Sequence, residues 1–334
     1  MRAGKIPPDI LQNLLSKQNI RDQRVALGPK VGEDAALISS GERYLVATTD
    51  PITFATDLVG WYMVHINAND IAAMGATPSW LLATLLLPNH TSPKQVEILF
   101  DQILDACAKL GITLVGGHTE ITPEVSHPIA VGTMLGEVDK QKAVHTSGAR
   151  PGDSIVLTKS IAIEGTALLA REASVALSNA GIPHKDIARA SKILQCPGIS
   201  IVPEATIACA KVDVHAMHDP TEGGLATGLR EIANAANTGV EIYADRIAVL
   251  PECGNFCSAL SLNPLGLISS GSLIIITPPS DSKTLIQSLN AENIEAQEIG
   301  RVTEFETGLK MHSTEGIIDL PTFERDELAR WFDD

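Results

Sequence analysis

Apolar residues recur at two different spacings in the first half of the chain, and each spacing predicts a different element. Between residues 57 and 74 they recur three or four positions apart, which predicts a helix with one apolar face. The continuous apolar run of residues 80–87 has the length of a buried strand. Ser92 and Gln95 form a capping box that opens a helix, and Gly111 ends that helix. A further helix is predicted at residues 7–17, and strands at 35–38, 44–48, 112–115 and 128–135.

The second half of the chain also mixes helical and extended patterns. The segment Arg150-Pro151-Gly152-Asp153 favours a turn, and it predicts a boundary between domains at residues 1–150 and 151–334. Strands that alternate with helices indicate an α/β fold, or a mixed α+β fold. After the boundary, strands are predicted at 154–158, 213–217, 272–277 and 308–311, and helices at 164–174, 185–195, 203–210, 223–236, 281–289 and 322–332.

Composition narrows the class of partner. The 334 residues carry a formal net charge of −15, which argues against nucleic acid or an anionic membrane as the main partner. It does not argue against ATP, because a divalent cation can lie between acidic side chains and phosphates. The N-terminus lacks the apolar core of a signal peptide, and the run at 80–87 is too short to span a bilayer. We therefore expect a cytoplasmic protein, in which the five irregularly spaced cysteines are free thiols.

The candidate residues for catalysis and ligand binding are acidic, and they lie beside small residues at the ends of apolar segments. The sequence contains no Walker P-loop, no Gly-x-Gly-x-x-Gly and no Gly-x-Ser-x-Gly, so the common nucleotide and hydrolase motifs are missing. Five acidic segments remain, namely Gly32-Glu33-Asp34-Ala35-Ala36, Thr48-Thr49-Asp50, Asn67-Ala68-Asn69-Asp70, Gly116-Gly117-His118-Thr119-Glu120 and His218-Asp219-Pro220-Thr221-Glu222-Gly223-Gly224.

These segments suit the binding of Mg²⁺ and phosphate. Mg²⁺ prefers oxygen ligands and often bridges carboxylates to phosphates. Asn67 and Asp70 are three positions apart in a predicted helix, so they share one face. Gly223 and Gly224 open a helix, whose N-terminus favours an anion. Several such segments together could hold a triphosphate and stabilise charge during phosphoryl transfer.

Each residue also has a structural interpretation. Asp50 precedes a proline and could begin a turn, and Asp219 could do the same or cap a helix. Asp34 could be a solvated charge at a strand end, and Asp70 could belong to the polar face of a helix. The remaining candidates, His118, His218, Glu120 and Glu222, could be satisfied or exposed polar side chains. Taken singly, each residue favours the structural interpretation.

The order of the segments changes that interpretation. Gly-Glu-Asp-Ala-Ala, Thr-Thr-Asp, Asn-Asp-Ile-Ala-Ala-Met-Gly-Ala-x-Pro, Gly-Gly-His-Thr-Glu and Asp-Pro-Thr-x-Gly-Gly-Leu together resemble the aminoimidazole ribonucleotide (AIR) synthetase superfamily. The resemblance runs over nearly the whole chain. The segments 217–225, 150–153 and 164–167 look most like the branch of the hydrogenase-maturation carbamoyl dehydratase, HypE. The thiamine-monophosphate kinase branch would more typically show a Ser-Asp-Gly-Leu segment in place of residues 219–225.

The resemblance implies a homodimer and a set of ligands. The N-terminal domains of two copies would pair through a barrel-like sheet, and ATP with Mg²⁺ would bind between the domains of each protomer. Asp50 and Asp219 would act in catalysis as well as in metal binding. The implied metal ligands are Asp34, Asp50, Asp70, Glu120 and Asp219, and the implied ATP contacts are Asn67, Gly116, Gly117, His118, Gly223 and Gly224.

This chain departs from the branch it resembles at three positions. Several relatives carry Asp where this chain has His118, which is a poorer Mg²⁺ ligand, so Glu120 would supply the charge or one metal would be held differently. The dehydratase branch uses a C-terminal cysteine to carry its carbamoyl group, whereas the last cysteine here is Cys257. Glu222 also replaces a residue that is usually Arg in that branch.

The sequence therefore predicts an Mg²⁺-dependent, ATP-using enzyme that phosphorylates an oxygen of amide or carbamoyl type. The acceptor would be a small molecule or a group borne by a partner peptide, and the sequence does not identify it. Two alternatives remain open at this stage. One is a kinase of a small metabolite such as thiamine monophosphate, and the other is a non-catalytic ATP-binding partner in a maturation complex.

Overall fold

A computed structural model of the chain describes residue 6, residues 8–53, residue 55 and residues 57–333. The chain forms two compact units. Among the described residues, the N-terminal unit contains those of 20–29 and 34–143, and the C-terminal unit contains residue 6 and those of 8–19, 30–33 and 144–333. Residues 8–19 and 30–33 group with the C-terminal unit, and the predicted domain boundary after residue 150 stays a prediction.

The N-terminal unit is built on a six-stranded sheet with the strand order β1-β2-β3-β6-β4-β5. Neighbouring strands are antiparallel except β4 and β5, which are parallel. The strands are β1 (Val25–Leu27), β2 (Ala36–Ser40), β3 (Arg43–Ile52), β4 (Thr77–Leu87), β5 (Thr113–Ile121) and β6 (Ile129–Asp139), and the helices are α2 (Val59–Ala73) and α3 (Pro93–Leu110).

Helix α2 is buried on almost all sides. The spacing of its apolar residues predicted an amphipathic helix, yet every residue of α2 except Trp61 and Ile66 is buried. The helix lies very close to the sheet, because an added Cβ at Gly136 of β6 would lie 2.4 Å from Ile71 Cγ2. A helix that is buried all round must find partners for its polar side chains within the protein. The polar residues of α2 are therefore placed against β3, where the first candidate site lies.

Helix α3 has the ends that its sequence predicted. The Ser92 side chain accepts from the Gln95 N–H at 3.3 Å, and the Ser92 N–H donates to Gln95 Oε1 at 2.8 Å, which completes the capping box. Gly111 ends the helix with a φ of 71°, in the left-handed region that favours glycine. The predicted capping box at Ser92 and the predicted helix end at Gly111 are both confirmed.

The C-terminal unit is built on a seven-stranded sheet with the order β13-β12-β9-β11-β7-β10-β8. Only β12 and β9 are parallel neighbours. Its strands are β7 (Ser154–Thr158), β8 (Ala216–His218), β9 (Gly239–Tyr243), β10 (Ile274–Thr277), β11 (Ala296–Thr303), β12 (Leu309–Ser313) and β13 (Gly316–Asp319). Its helices are α1 (Pro8–Leu15), α4 (Ile163–Glu172), α5 (Ser174–Asn179), α6 (His184–Ala190), α7 (Val202–Lys211), α8 (Gly224–Ala236), α9 (Pro251–Leu260), α10 (Pro279–Ala291) and α11 (Glu327–Asp333).

The predicted mixed α/β class with two domains is confirmed, but several elements differ from the prediction. The strands β1, β9, β11 and β13 and the helices α5 and α9 were not predicted. The segment Gly116–Glu120 was placed after a strand, whereas it lies inside β5. Likewise, β3 continues through Asp50, so that residue lies within the strand and not at its end. Both corrections change the direction in which the candidate side chains point.

One segment of the C-terminal unit, His184–Lys211, is long and apolar enough by composition to cross a membrane. In the structure it is not one continuous helix. Helix α6 ends at Ala190, and Cys196 has a non-helical backbone, with φ −151° and ψ 108°, before α7 begins. The segment also buries Leu194 and Ala205 within its own unit. Because core segments pass the same test of length and composition, the segment is weak evidence for a membrane span.

The close contact between α2 and β6 gives a test of the fold. Gly136→Ala should destabilise the protein by about 1–3 kcal/mol, because the new methyl group would overlap Ile71 and the Thr77 carbonyl oxygen. Gly254→Ala is the matched control, since no atom lies within 4 Å of an added Cβ at that helical position. It should stabilise α9 by roughly 0.5–1 kcal/mol. Denaturant unfolding measures both changes, and equal stability of the two variants would contradict the packing described here.

Candidate functional site

Asp50 of β3 is held in place by the side chain of Asn67 of α2. The Asp50 N–H donates to Asn67 Oδ1 at 2.9 Å, and Asn67 Nδ2 donates to the carbonyl oxygens of Asp50 at 3.3 Å and Met63 at 2.9 Å. Asn67 is fully buried, so all of its amide groups are engaged inside the protein. These contacts support a positioning role for Asn67. Its predicted direct contact with phosphate stays a prediction.

Thr48 contacts the backbone of Asp34 and the carboxylate of Asp70. Its hydroxyl donates to Asp70 Oδ2 at 2.7 Å and lies 3.2 Å from the backbone oxygen of Asp34. Asp70 is 8% exposed, and Asp34 is half-buried. Thr48 and Asp50 are two positions apart in β3, so their side chains point to the same face. The structure thus places Asp34, Asp50 and Asp70 along one strand, through the backbone of Asp34 and Asp50 and the carboxylate of Asp70, and their joint role in metal binding stays a prediction.

Gly132 of β6 makes this arrangement possible. It pairs with Asp50 in the sheet, and an added Cβ at Gly132 would lie 2.5 Å from Asn67 Nδ2 and 3.0 Å from Met63 Cγ. A side chain at this position would therefore displace the amide that holds Asp50. Gly132 was not singled out from the sequence. The signal that could have identified it is a glycine at a buried position of a strand, which often marks close approach of another group.

His118 and Glu120 lie on the other face of the same sheet. Ala83 of β4 pairs with Gly132 and so points toward α2, whereas its neighbour Thr84 points away from α2. Thr84 pairs with His118, which places His118 and Glu120 of β5 on the face that points away from α2. His118 Nε2 lies 3.1 Å from Glu120 Oε2, and both side chains are exposed. Within the N-terminal unit these two residues do not join Asp50 and Asp70.

Of the two glycines of β5, one occupies a position where only glycine fits and the other does not. Gly117 has a φ of 152°, and an added Cβ would lie 1.9 Å from the backbone oxygen of Ala83. Only glycine fits at that position. At Gly116 the nearest atom to an added Cβ is Leu82 Cδ2, at 3.9 Å. Gly117 therefore has a structural reason to be glycine, and the predicted nucleotide contact of both residues stays a prediction.

Asp219 lies in a tightly packed turn of the C-terminal unit. It follows His218, whose Nε2 lies 2.8 Å from Glu231 Oε2 of α8. Asp219 is 2% exposed. An added Cβ at Gly228 would lie 2.9 Å from Pro220 Cβ, so α8 packs directly on this turn. The turn therefore holds the Asp219 carboxyl at a fixed and buried position beside the start of α8.

The start of α8 is already occupied by an acidic side chain of the protein. The Gly223 N–H donates to Asp326 Oδ2 at 2.7 Å, and the Gly224 N–H donates to the Thr221 carbonyl oxygen at 3.0 Å. A carboxylate at a helix N-terminus is favoured by the same dipole that would attract a phosphate. Asp326 thus takes the place that the sequence assigned to a nucleotide phosphate. The phosphate contacts of Gly223 and Gly224 stay predictions that this geometry does not support.

Two acidic groups near this turn have raised pKa values. Burial raises the pKa of Glu164 to about 7, and the carboxyl groups of Asp326 and Glu222 act in the same direction. Burial likewise raises the pKa of Asp326 to about 7, although the backbone N–H groups of Gly223, Leu328 and Ile268 oppose that rise. Neither Glu164 nor Asp326 was predicted as a site residue, although Glu164 lies in one of the segments that resemble the dehydratase branch, because their charged neighbours are far away along the chain.

Three aspartates of the N-terminal unit carry the type of ligand atom that Mg²⁺ prefers. Asp34, Asp50 and Asp70 offer hard carboxylate oxygens, and two of the three are partly exposed and so could reach a ligand. Asp50 is fixed through its backbone, which leaves its own carboxylate for other contacts. Such a group can hold Mg²⁺ against phosphate oxygens, and this is the chemistry that phosphoryl transfer requires.

Comparison with known proteins places both units in one family. The N-terminal domain model of the AIR synthase related protein family matches residues 32–138, and its C-terminal domain model matches residues 150–310. A Methanocaldococcus jannaschii protein, whose name assigns it to hydrogenase expression and formation, is 27% identical over 96% of this chain and 95% of its own length. The carbamoyl dehydratase HypE of Cupriavidus necator is 28% identical over 82% of this chain and 77% of its own.

Two solved structures share the fold. A crystal structure of the hydrogenase maturation protein HypE in complex with ATP has a TM-score of 0.72 at 23% identity. The matched region spans 95% of this chain and 91% of the HypE chain. A structure of AaThiL complexed with AMPPCP and TMP also has a TM-score of 0.72, at 20% identity, with 95% and 94% coverage. The backbone alone therefore resembles both proteins equally.

The raised pKa values predict how stability changes with pH. Glu164 binds its proton more tightly in the folded state than in the unfolded state. The stabilisation that this proton binding adds to the free energy of unfolding is therefore full below the usual pKa of 4.5 and is lost as pH rises through about 7. Glu164→Gln should therefore lose less stability than the wild type between about pH 5 and about pH 8, by roughly 3 kcal/mol at most. Unfolding in denaturant at several pH values measures this difference. The exposed variant Glu97→Gln should follow the wild type, and identical curves for all three proteins would contradict the burial of Glu164.

Proposed function

The chain belongs to the AIR synthase related protein family, and on that premise we propose that it is an Mg²⁺-dependent, ATP-using enzyme. It transfers a phosphoryl group to an oxygen of amide or carbamoyl type on an acceptor. The observation that carries this proposal is the group formed by Asp34, Asp50 and Asp70 around Thr48 and Asn67. Asp50 and Thr48 share one face of β3 and the Asp70 carboxylate accepts from Thr48, so a cation bound at this face would offset the repulsion between the two carboxylates.

Each residue of the group has a defined part in the proposed site. When bound, Mg²⁺ neutralises charge on the phosphates and on the transition state. Asp34, Asp50 and Asp70 would hold the ion, and Asn67 fixes the backbone of Asp50. Because phosphoryl transfer depends mainly on positioning and electrostatics, a fixed Asp50 contributes directly to the rate. Asp219, rigid in its turn, is proposed as the second catalytic carboxylate.

A hydrogenase-maturation type of reaction is supported by the sequence relatives. The Cupriavidus necator relative is a carbamoyl dehydratase, and the M. jannaschii relative is named for hydrogenase expression and formation. The proposed acceptor is accordingly a small molecule or a group on a partner peptide. The alternative is a small-metabolite kinase, which the equal TM-score of the AaThiL structure supports. Assaying candidate acceptors for ATP-dependent gain of phosphate separates the two reactions.

The edge strand β5 supports the proposed homodimer. All residues of β5 except Leu114 are exposed, among them the apolar Val115 and Ile121. An exposed edge strand with apolar side chains on a soluble protein usually pairs with another chain. A second copy would cover this edge, and His118 and Glu120 would then lie at or near the interface. The proposed location of the homodimer is the cytoplasm.

ATP binding with and without Mg²⁺ tests the proposed function. The wild type should bind ATP more tightly with Mg²⁺, and Asp50→Asn should weaken the Mg²⁺-dependent part at least about tenfold, or about 1.4 kcal/mol. Isothermal titration measures both affinities. Asp105→Asn removes an exposed carboxylate of α3 and is the control. If ATP bound neither with nor without Mg²⁺, the proposal would be wrong, and an unchanged affinity in Asp50→Asn would remove Asp50 from the site.

Gly132 tests the positioning of Asp50. Gly132→Ala should displace the Asn67 amide and weaken Mg²⁺·ATP binding by about 10–100-fold, as is usual for groups that orient metal ligands. Asn67→Ala should give a similar loss. If both variants act through the same contact, the double variant should lose no more affinity than either single variant. Additive losses would show that Gly132 does not act through Asn67.

A further inference from the structure

The C-terminal segment, which we define as residues 320–333, is fastened to the rest of its unit near both ends. Near its start, Arg230 Nη2 of α8 donates to Thr322 Oγ1 at 2.8 Å. Near its end, Arg330 Nη2 donates to the carbonyl oxygen of Ser261, which follows α9, at 2.7 Å. The residues between these two contacts therefore have little freedom to move as a group.

The middle of the C-terminal segment packs into the unit. The Phe323 ring lies so close to Gly266 that an added Cβ at this glycine would be 2.5 Å from Phe323 Cδ1. The Asn263 N–H donates to Glu327 Oε2 at 2.8 Å, and Glu327 is buried. Asp326 lies between Phe323 and Glu327, so contacts on both sides define where its carboxylate lies.

The Asp326 carboxylate uses both of its oxygens in hydrogen bonds. Oδ2 accepts from the Gly223 N–H at 2.7 Å, and Oδ1 accepts from the Leu328 N–H at 2.8 Å. The Ile268 N–H donates to the same carboxylate. Hydrogen bonds to an ionised carboxylate are roughly twice as strong as those between neutral groups. Asp326 therefore joins the start of α8 firmly to the C-terminal segment.

Helix α8 begins after Gly223, a residue that has no side chain to cap the N–H groups of the first turn. Gly223 has a φ of 81° and Gly224 a φ of 63°, so both lie in the left-handed region. An added Cβ at Gly224 would lie 2.5 Å from the Leu265 carbonyl oxygen, so only glycine fits there. Asp326 thus supplies, from far along the chain, the carboxylate that a local Asp often supplies at a helix start.

The turn before α8 connects this cap to Asp219. Asp219 is buried and lies four positions before Gly223. On one side, an added Cβ at Gly228 would lie 2.9 Å from Pro220 Cβ, so α8 packs on the turn there. On the other side, the Asp326 carboxylate holds the turn at Gly223. Because glycine has the widest conformational freedom, loss of the Asp326 contact would loosen the turn first at Gly223.

We propose that Asp326 is a positioning residue, which holds Gly223 and, through the turn, fixes the Asp219 carboxyl for phosphoryl transfer. Displacing a catalytic group by about 1 Å can lower the rate about 100-fold, so a fixed turn has a direct effect on the reaction. The role of Asp326 in the reaction rests on the proposed function, whereas its support of the turn does not.

Hydrogen exchange measured by mass spectrometry tests the support of the turn. In Asp326→Ala, the Gly223 amide should exchange at least about tenfold faster than in the wild type, because the carboxylate that accepts from it is gone. Asp326→Asn keeps one acceptor oxygen and should show a smaller rise, and it replaces the alanine variant if that variant does not fold. Glu324→Ala removes an exposed carboxylate two residues earlier and is the matched control, with the exchange of the wild type.

Isothermal titration with Mg²⁺·ATP tests the role in the reaction. Asp326→Ala should weaken binding about tenfold, as is usual for groups that orient metal ligands, and Asp326→Asn should recover part of that loss. If Asp326 acts through Asp219, the double variant of Asp219→Asn and Asp326→Ala should bind no more weakly than Asp219→Asn alone. A residue that only stabilises the fold would instead give additive losses.

Two results would overturn the proposal. The first is that the Gly223 amide exchanges in the Asp326 variants as it does in the wild type and in Glu324→Ala. The second is that the Asp326 variants bind Mg²⁺·ATP as the wild type does, or that the losses in the double variant are additive, and either outcome leaves the proposed function intact. If the wild type does not bind Mg²⁺·ATP, the proposed function is wrong and the role in the reaction is rejected with it. The exchange measurement then still decides whether Asp326 holds the turn.

Discussion

The N-terminal unit depends on the burial of a helix that carries polar side chains. Helix α2 is enclosed on almost every side, so Asn67 and Asp70 must form hydrogen bonds inside the protein. They form them with β3, where Asn67 holds the backbone of Asp50 and Asp70 accepts from Thr48. Gly132 leaves the space that this approach needs. The same contacts that make burial of α2 possible also fix the backbone of Asp50 and the carboxylate of Asp70 in the proposed site.

Local signals in the sequence predicted much of the fold. The capping box at Ser92 and the glycine at 111 define α3, because both act within one turn of the helix. The sequence did not reveal β11, whose polar residues interrupt any simple alternation and whose pairing shifts between Glu298 and Gly300. It also gave β5 too few residues, because the glycines at 116 and 117 resemble a loop. Their extended conformation depends on pairing with β4, which lies far away along the chain.

The candidate site was predicted only in part, because local motifs mark some of its residues whereas long-range contacts decide the rest. Asp34, Asp50 and Asp70 could be singled out because short motifs surround them, and the structure places all three along β3. Their arrangement on one face of the sheet, with His118 and Glu120 on the other, follows only from strand register. Asp326 lies 103 residues after Gly223, and no local pattern connects the two. Long-range partners of this kind are decided by tertiary packing and not by spacing in the sequence.

The bond between Asp326 and Gly223 also has a consequence for biosynthesis. The turn that carries Asp219 is held at Gly223 by a carboxylate from the segment just before the last helix. A ribosome makes the turn first and must add about a hundred further residues before that carboxylate exists. The growing chain therefore carries the turn in an unfinished form until Asp326 has left the ribosome. A chain interrupted before Asp326 would lack the contact that fixes this turn.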